Sequence, residues 1–244
     1  MDLRGQVALV TGAARGLGRA TAAALTQAGA RVAAHQREGG EFPADLAGGP
    51  EAAESLVDAV VARFGRIDYL VNNAALTPAN PLRDAPAAAA GSFQRADAEA
   101  GFDPGRFDAA IAVNLRAPLQ LALAAAPHGL QAVVNVGSGS TERGDGSSAY
   151  FVVSKGAVPA LTRYLARRLA PAVRVNAFMP GLFDTEQLAG RGERFRPLRE
   201  EIVRRTPMAR LGRPEEAAET ILYLLAGNTF ITGEVLCVDG GWLL

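Results

Sequence analysis

The segment Thr11-Gly12-Ala13-Ala14-Arg15-Gly16-Leu17-Gly18 constrains this chain more than any other stretch. It follows a short apolar run, Val7-Ala8-Leu9-Val10, of the kind expected for a strand buried on both faces. It precedes an Ala/Leu-rich stretch, residues 17 to 28, that suits a helix with Gly29 as its stop. Each glycine has a physical reading. Gly12 allows a tight turn, Gly16 lets the backbone approach a pyrophosphate, and Gly18 permits close helix–sheet packing. The helix start adds free N–H groups and partial positive charge for an anion. A strand–turn–helix unit that binds a dinucleotide is the expectation.

The pattern repeats along the chain. Arg31-Val32-Ala33-Ala34, Ile67 to Val71, residues 132 to 136, Val173 to Ala177 and Val235 to Val238 read as strands. Glu51 to Phe64, Phe107 to Ala125, residues 149 to 169 and Pro214 to Leu225 read as helices. Residues 36 to 50 are rich in Gly and Pro and read mostly as loop. Such alternation implies a Rossmann-type, doubly wound α/β fold: a parallel sheet of about seven strands with helices on both faces. Two segments depart from it. Thr77 to Arg106, with its four prolines, reads as a long excursion, partly helical at best, within an extended loop at about 76–106. Residues 186 to 206, charged and Arg-rich, read as a flap with short helices, within a region at about 182–207. With no repeat or linker evident, residues 1–244 are expected to form one domain.

Bulk properties narrow the function classes. A chain of 244 residues can bury a sizeable core. Its 25 basic and 25 acidic side chains balance, so nothing draws it generally to nucleic acid or to anionic membranes. Cys237 is the single cysteine, which excludes an intrachain disulfide and fits a reducing cytoplasm. His35 and His128 lie far apart and no Cys/His spacing resembles a zinc site, so no metal is expected. No secretory leader pattern opens the sequence, and no apolar stretch approaches the ~20 residues that span a bilayer. A soluble, cytoplasmic protein is expected.

Further segments match a known family in order and from end to end. They are Asn72-Asn73-Ala74-Ala75, Asn114-Leu115, Asn135-Val136-Gly137-Ser138, Ser154-Lys155, Pro180-Gly181-Leu182-Phe183-Asp184-Thr185, Arg210 to Glu216 and Val238-Asp239-Gly240-Gly241. With the Thr11–Gly18 turn, the chain resembles the short-chain dehydrogenase/reductase family. The resemblance implies a cofactor site at Gly12, Arg15, Gly16, Leu17, Gly18, Gln36, Arg37, Asp45, Leu46, Asn73, Ala74, Ala75, Lys155, Pro180, Gly181, Phe183 and Thr185. The end of the second strand bears on which dinucleotide binds. A carboxylate there would hold the adenosine ribose and repel a 2′-phosphate, but this chain has Gln36 followed by Arg37. Arg15 in the turn is a second cation, so NADPH is favoured over NADH.

The same resemblance implies Asn114, Ser138 and Lys155 as catalytic residues. The family's tyrosine stands four residues before the lysine, yet here that position is Phe151, and Tyr150 is its neighbour. One helical step turns a side chain by about 100°, so Tyr150 and Phe151 cannot share a direction in an unbroken helix. Three readings stay open: a displaced Tyr150 that still donates the proton; a different donor, whether Ser138, a water or the substrate's hydroxyl, with Lys155 nearby; or a protein that binds NADP(H) as a structural or sensing ligand without reducing anything. Ser140 is an alternative to Ser138.

The implied reaction is reduction of a carbonyl or C=N group of a small molecule with an altered proton donor. His35, Arg37 and Thr77-Pro78, with the long excursion, resemble the pteridine reductases, a branch of the family that keeps the tyrosine. Arg191, Arg194, Arg196 and Arg199 could attract an acidic substrate or form a solvated face. The family commonly assembles through its two long helices and C-terminal segment. The apolar Trp242-Leu243-Leu244 fits a subunit interface, so a homotetramer or homodimer is expected.

Overall fold

Val7-Ala8-Leu9-Val10 forms β1 (Val7–Val10), and all four side chains are buried. In a strand, alternate residues face opposite sides, and here both sides are covered. The computed structural model describes residues 1–77, 103–144, 146, 148–189 and 196–244. The other strands are β2 (Arg31–Gln36), β3 (Phe42–Pro43), β4 (Tyr69–Asn72), β5 (Ala132–Val136), β6 (Arg174–Pro180) and β7 (Val235–Val238). They form one sheet in the order β3-β2-β1-β4-β5-β6-β7. Every pairing is parallel.

The helices are α1 (Gly16–Gln27), α2 (Glu51–Phe64), α3 (Pro104–Ile111), α4 (Ala117–Ala125), α5 (Ala149–Gly156), α6 (Val158–Leu169), α7 (Glu186–Ala189), α8 (Arg196–Arg205) and α9 (Pro214–Leu222). On one face, Leu56, Val57, Leu121, Leu161 and Leu165 from α2, α4 and α6 pack on Val7, Leu9, Leu70, Val133 and Val175. On the other, Leu25 of α1 and Ile221 of α9 pack on Ala8, Val10, Val71, Val134 and Phe178. Burying each Leu or Val contributes about 1.5–3 kcal/mol. Because β1 pairs with both β2 and β4, the sheet reverses its order there. A crevice opens at the carboxyl ends of strands at such a reversal.

Several local expectations need correction. The loop after β2 contains β3, held by His35↔Phe42 and Gln36↔Pro43. The helix expected over 149–169 is two helices, α5 and α6. Pro159 lies in the first turn of α6, where it has no N–H to offer the carbonyl one turn back. The helix expected from Phe107 begins earlier, at Pro104, behind an Asp103 cap whose Oδ1 accepts from Gly105 N at 2.9 Å and Arg106 N at 3.2 Å. Between α3 and α4 the backbone widens into a π turn, Ala112–Arg116, and a second π turn, Tyr223–Gly227, follows α9.

Among the described residues, Pro104–His128 is 25 residues long and contains a window of 18 with a mean hydropathy of 1.4, enough by length and composition to cross a membrane. This corrects the expectation that no stretch comes near that length. Part of that apolar character is core packing, since Ala117, Leu121, Ala122 and Ala125 are buried. Most of the excursion, residues 78–102, and Arg191 and Arg194 of the flap lie outside the described residues.

Candidate active site

The glycine turn sits at the crevice between β1 and β4. Thr11 fastens it from below. Its hydroxyl donates to Val71 O and accepts from the amides of Asn73 and Ala74, both at 3.0 Å. The Asn73 amide group donates to Thr11 O at 2.8 Å and Gly12 O at 3.1 Å. Space at the turn is tight. A Cβ on Gly12, whose φ is +65°, would lie 2.9 Å from Ala74 Cα, and one on Gly18 would lie 2.3 Å from Gly12 O. No L side chain fits either place, whereas a Cβ on Gly16 would meet nothing nearer than Thr185 at 3.7 Å, so the bare backbone there, at the start of α1, is open to a phosphate. These residues therefore fit a dinucleotide.

His35 supports the same turn. Its ring is buried, Nδ1 accepts from Gly12 N at 3.2 Å, and Nε2 pairs with Ala44 O at 3.0 Å. Burial holds its pKa below the ordinary histidine value.

The flap base meets the turn from the far side. Thr185 Cγ2 would be 3.7 Å from a Cβ on Gly16, the Glu186 carboxylate accepts from Gly16 N at 3.2 Å, and Glu186 also pairs with Arg19. A carboxylate thus rests where the start of α1 offers its N–H groups.

Arg15 and Arg37 are exposed, and Arg37 pairs with Glu38 at 3.0 Å. Gln36 is half-buried beneath Gly40. Asp45 is exposed and accepts from Ala47 N at 3.0 Å, while Leu46 is buried in the core. Ala75 is exposed. Gly181 N donates to Val238 O at 3.0 Å, next to the half-buried Pro180, and buried Phe183 packs against Phe178. Leu17 is half-buried at the start of α1.

Lys155 is buried in α5, and its ammonium donates to Val136 O at 2.6 Å, two residues before Ser138 on the same chain. Burial pushes its pKa down to about 8. Ser138 Oγ lies 2.9 Å from Ser140 Oγ, so the two candidate serines are paired. Asn114 occupies the π turn, fully buried. Its Oδ1 accepts from Leu76 N at 2.8 Å, and its Nδ2 donates to Leu76 O at 3.0 Å and to Ser154 Oγ at 2.9 Å. Ser154 in turn donates to Tyr150 O at 2.7 Å. Asn114 therefore ties the start of the excursion to α5.

Tyr150 turns elsewhere. Its phenol oxygen accepts from the Asp103 amide at 2.7 Å, and its ring meets Phe107 edge-on at 6.4 Å. Phe151, half-buried, follows it at the start of α5, where Phe151 N donates to Ser148 Oγ at 3.2 Å.

Sequence reasoning missed Thr11, Asp103 and Glu186. The Asp103-Pro104 pair is a readable signal, a helix cap followed by proline at the first position. Glu186 carries no local sign of its contact, because the partner is 170 residues away.

Over residues 12–243 the chain matches the family model described as enoyl-(acyl carrier protein) reductase. It is 39% identical to the ketoacyl reductase 2 named for the granaticin polyketide synthase of Streptomyces violaceoruber, over 96% of this chain and 95% of that protein. It is 32% identical to the 3-oxoacyl-[acyl-carrier-protein] reductase of Thermotoga maritima, over the whole of both chains. Among solved structures it is similar to a short-chain dehydrogenase/reductase of Brucella melitensis, with a TM-score of 0.82, 28% identity and full coverage of both chains. It is also similar to the ligand-free aldohexose dehydrogenase of Thermoplasma acidophilum, with a TM-score of 0.83, 27% identity and coverage of 99% and 95%. The fold and the ordered site define an oxidoreductase of the Rossmann type. The chain belongs to the short-chain dehydrogenase/reductase family.

Proposed function

We propose that the protein is an NADPH-dependent reductase of a small-molecule carbonyl, working in the cytoplasm with a proton donor other than tyrosine. The observation that carries this is Lys155: a buried ammonium with a pKa near 8, tied to the strand end that delivers Ser138. NADPH, when bound, supplies the hydride. The chain must then orient the carbonyl and deliver one proton to its oxygen. Ser138 and Ser140 offer hydroxyls that can polarise that oxygen. Lys155 titrates close enough to neutrality to hold the proton and replace it after transfer. Tyr150 contributes differently, through Asp103 and Phe107 at the start of α3. Arg15 and Arg37 support NADPH over NADH, as exposed cations beside a β2 that ends in Gln36, with Arg37 held by the exposed Glu38. The ketoacyl reductases among its relatives make a β-ketoacyl thioester the first carbonyl to try.

Leu123 of α4, Val153 of α5 and Tyr164 of α6 are exposed apolar or aromatic side chains. They support assembly into a homodimer or homotetramer through these helices. Sedimentation equilibrium checks this.

The test is NADPH oxidation against β-ketoacyl thioesters, ketones, aldehydes, quinones and pterins, with NADH in parallel, for wild type and Tyr150→Phe. Turnover that survives in the variant supports the proposal. Turnover abolished by it makes Tyr150 the donor and overturns the altered-donor reading. Tight NADPH binding with no turnover on any compound favours the non-reducing, cofactor-binding reading.

A further inference from the structure

His35, buried near the end of β2, supports the glycine turn without belonging to the reaction. It joins two parts of the site that are separate in sequence. Its Nδ1 accepts from Gly12 N at 3.2 Å, and its own backbone carbonyl accepts from Ala13 N at 2.9 Å, so two successive amides of the glycine turn rest on this residue. Opposite, Nε2 meets Ala44 O at 3.0 Å, next to Asp45 and Leu46. The carbonyl can only accept and the Gly12 amide can only donate. Both contacts hold together only in the neutral ring with its proton on Nε2.

The geometry points to His35 as a positioning residue that makes dinucleotide affinity depend on pH: neutral, it clamps the phosphate-binding turn to the β3 loop, and protonated, it releases it. A second proton would put an N–H on Nδ1 facing the N–H of Gly12, donor against donor. The turn and the β3 loop offer backbone groups to the ring. The ionisable side chains nearest in the chain, Arg31, Arg37, Glu38, Glu41 and Asp45, are all exposed, as are Arg15 in the turn, Arg19 of α1 and Glu186 beside them. Burial is the main influence on the ring and lowers its pKa, with the Ala44 carbonyl acting the other way. The release therefore falls on the acid side of the ordinary histidine range. This inference rests on the proposed dinucleotide site.

The test uses calorimetric titration of the purified protein with NADP⁺, which survives mild acid, between pH 5 and 8 in wild type, His35→Asn and His35→Leu. The 2′-phosphate itself titrates near pH 6, so the difference between wild type and His35→Asn is the informative quantity. An asparagine Oδ1 can take the place of Nδ1 as acceptor and hold the turn, though it does not reach Ala44 O, and it cannot charge. His35→Asn is expected to bind within about threefold of wild type at pH 7.5, and His35→Leu at least about tenfold more weakly. Below the His35 pKa the wild type should lose up to about tenfold in affinity per pH unit relative to His35→Asn. Identical pH profiles in wild type and His35→Asn, or wild-type affinity in His35→Leu, overturn the proposal. If the wild type binds neither NADP⁺ nor NAD⁺, the dinucleotide reading itself has failed. The clamp then stands or falls on the free protein: its Gly12 amide ¹⁵N–¹H resonance must move with the His35 titration, and a resonance that stays still overturns it.

Discussion

The phenol oxygen of Tyr150 accepts a 2.7 Å hydrogen bond from the backbone amide of Asp103, a residue 47 positions earlier. Asp103 caps α3 with its carboxylate, so Tyr150 receives the N–H at the point where that helix begins. The hydroxyl that one of the three readings makes the proton donor accepts here from backbone, which fixes its position at the start of α3. Tyr150→Phe should therefore cost stability more than chemistry. Loss of a buried acceptor is expected to destabilise by about 1–2 kcal/mol in urea unfolding, with kcat within about threefold of wild type.

Phe151 occupies the position four residues before Lys155, one helical turn away. Phe151→Tyr would place a phenol at that step. If the remaining groups are arranged for carbonyl reduction, kcat/KM should rise by about 10²–10⁴-fold, the usual contribution of a general acid. An unchanged rate in a folded, cofactor-binding variant would show that the route through Ser138 and Lys155 already supplies the proton as fast as a tyrosine at this step.

Lys155 makes stability depend on alkaline pH. Its folded pKa, about 8, lies below the 10.5 of the free side chain. Between these values the unfolded chain holds a proton that the folded protein has shed, so stability rises with pH across that window. Below pH 8 the folded state carries the buried charge and the advantage is absent. The full gain from pH 8 to 10.5 is about 3 kcal/mol at most. Urea unfolding at pH 7.5, 9 and 10 should show this slope in wild type and not in Lys155→Met.

Gly18→Ala should separate fold from binding. The added methyl would meet Gly12 O at 2.3 Å and Asn73 Nδ2 at 2.4 Å. The turn must open, costing about 1–3 kcal/mol and weakening NADP⁺ binding by at least about tenfold. Circular dichroism and calorimetry together read both effects.

Glu186→Gln should act in the opposite direction on affinity. The Glu186 carboxylate now holds Gly16 N and Arg19, groups that a phosphate would also seek. Glu186 and Arg19 are exposed, so the gain is modest: about a two- to fivefold tighter Kd for NADP⁺, shrinking at high salt.

The sheet was legible in the sequence because its strands are short apolar runs set between helices of clear period, and β1, β2, β5 and β7 start where that pattern predicts. The glycine turn was legible for a similar reason, since its spacing is local and its shape follows from three missing side chains. What could not be read was set by distant partners. β3 is two residues long and exists only through His35 and Gln36. The direction of Tyr150 depends on Asp103, and the place of Glu186 on Gly16, contacts that no local period encodes. Within a single helix the π turn at Asn114 was equally silent, because its residues have ordinary helical character.

That π turn has a consequence of its own. A π turn holds one residue more than the α-helical turn it replaces. Deleting a single neighbour of Asn114 would let the helix close into regular α form, with Leu121 and the following core residues kept in step. Only the presentation of Asn114 to Leu76 and Ser154 would be lost. The residue count of this helix thus has a spare place at Asn114, so a single deletion would remove the contacts of Asn114 and keep the fold.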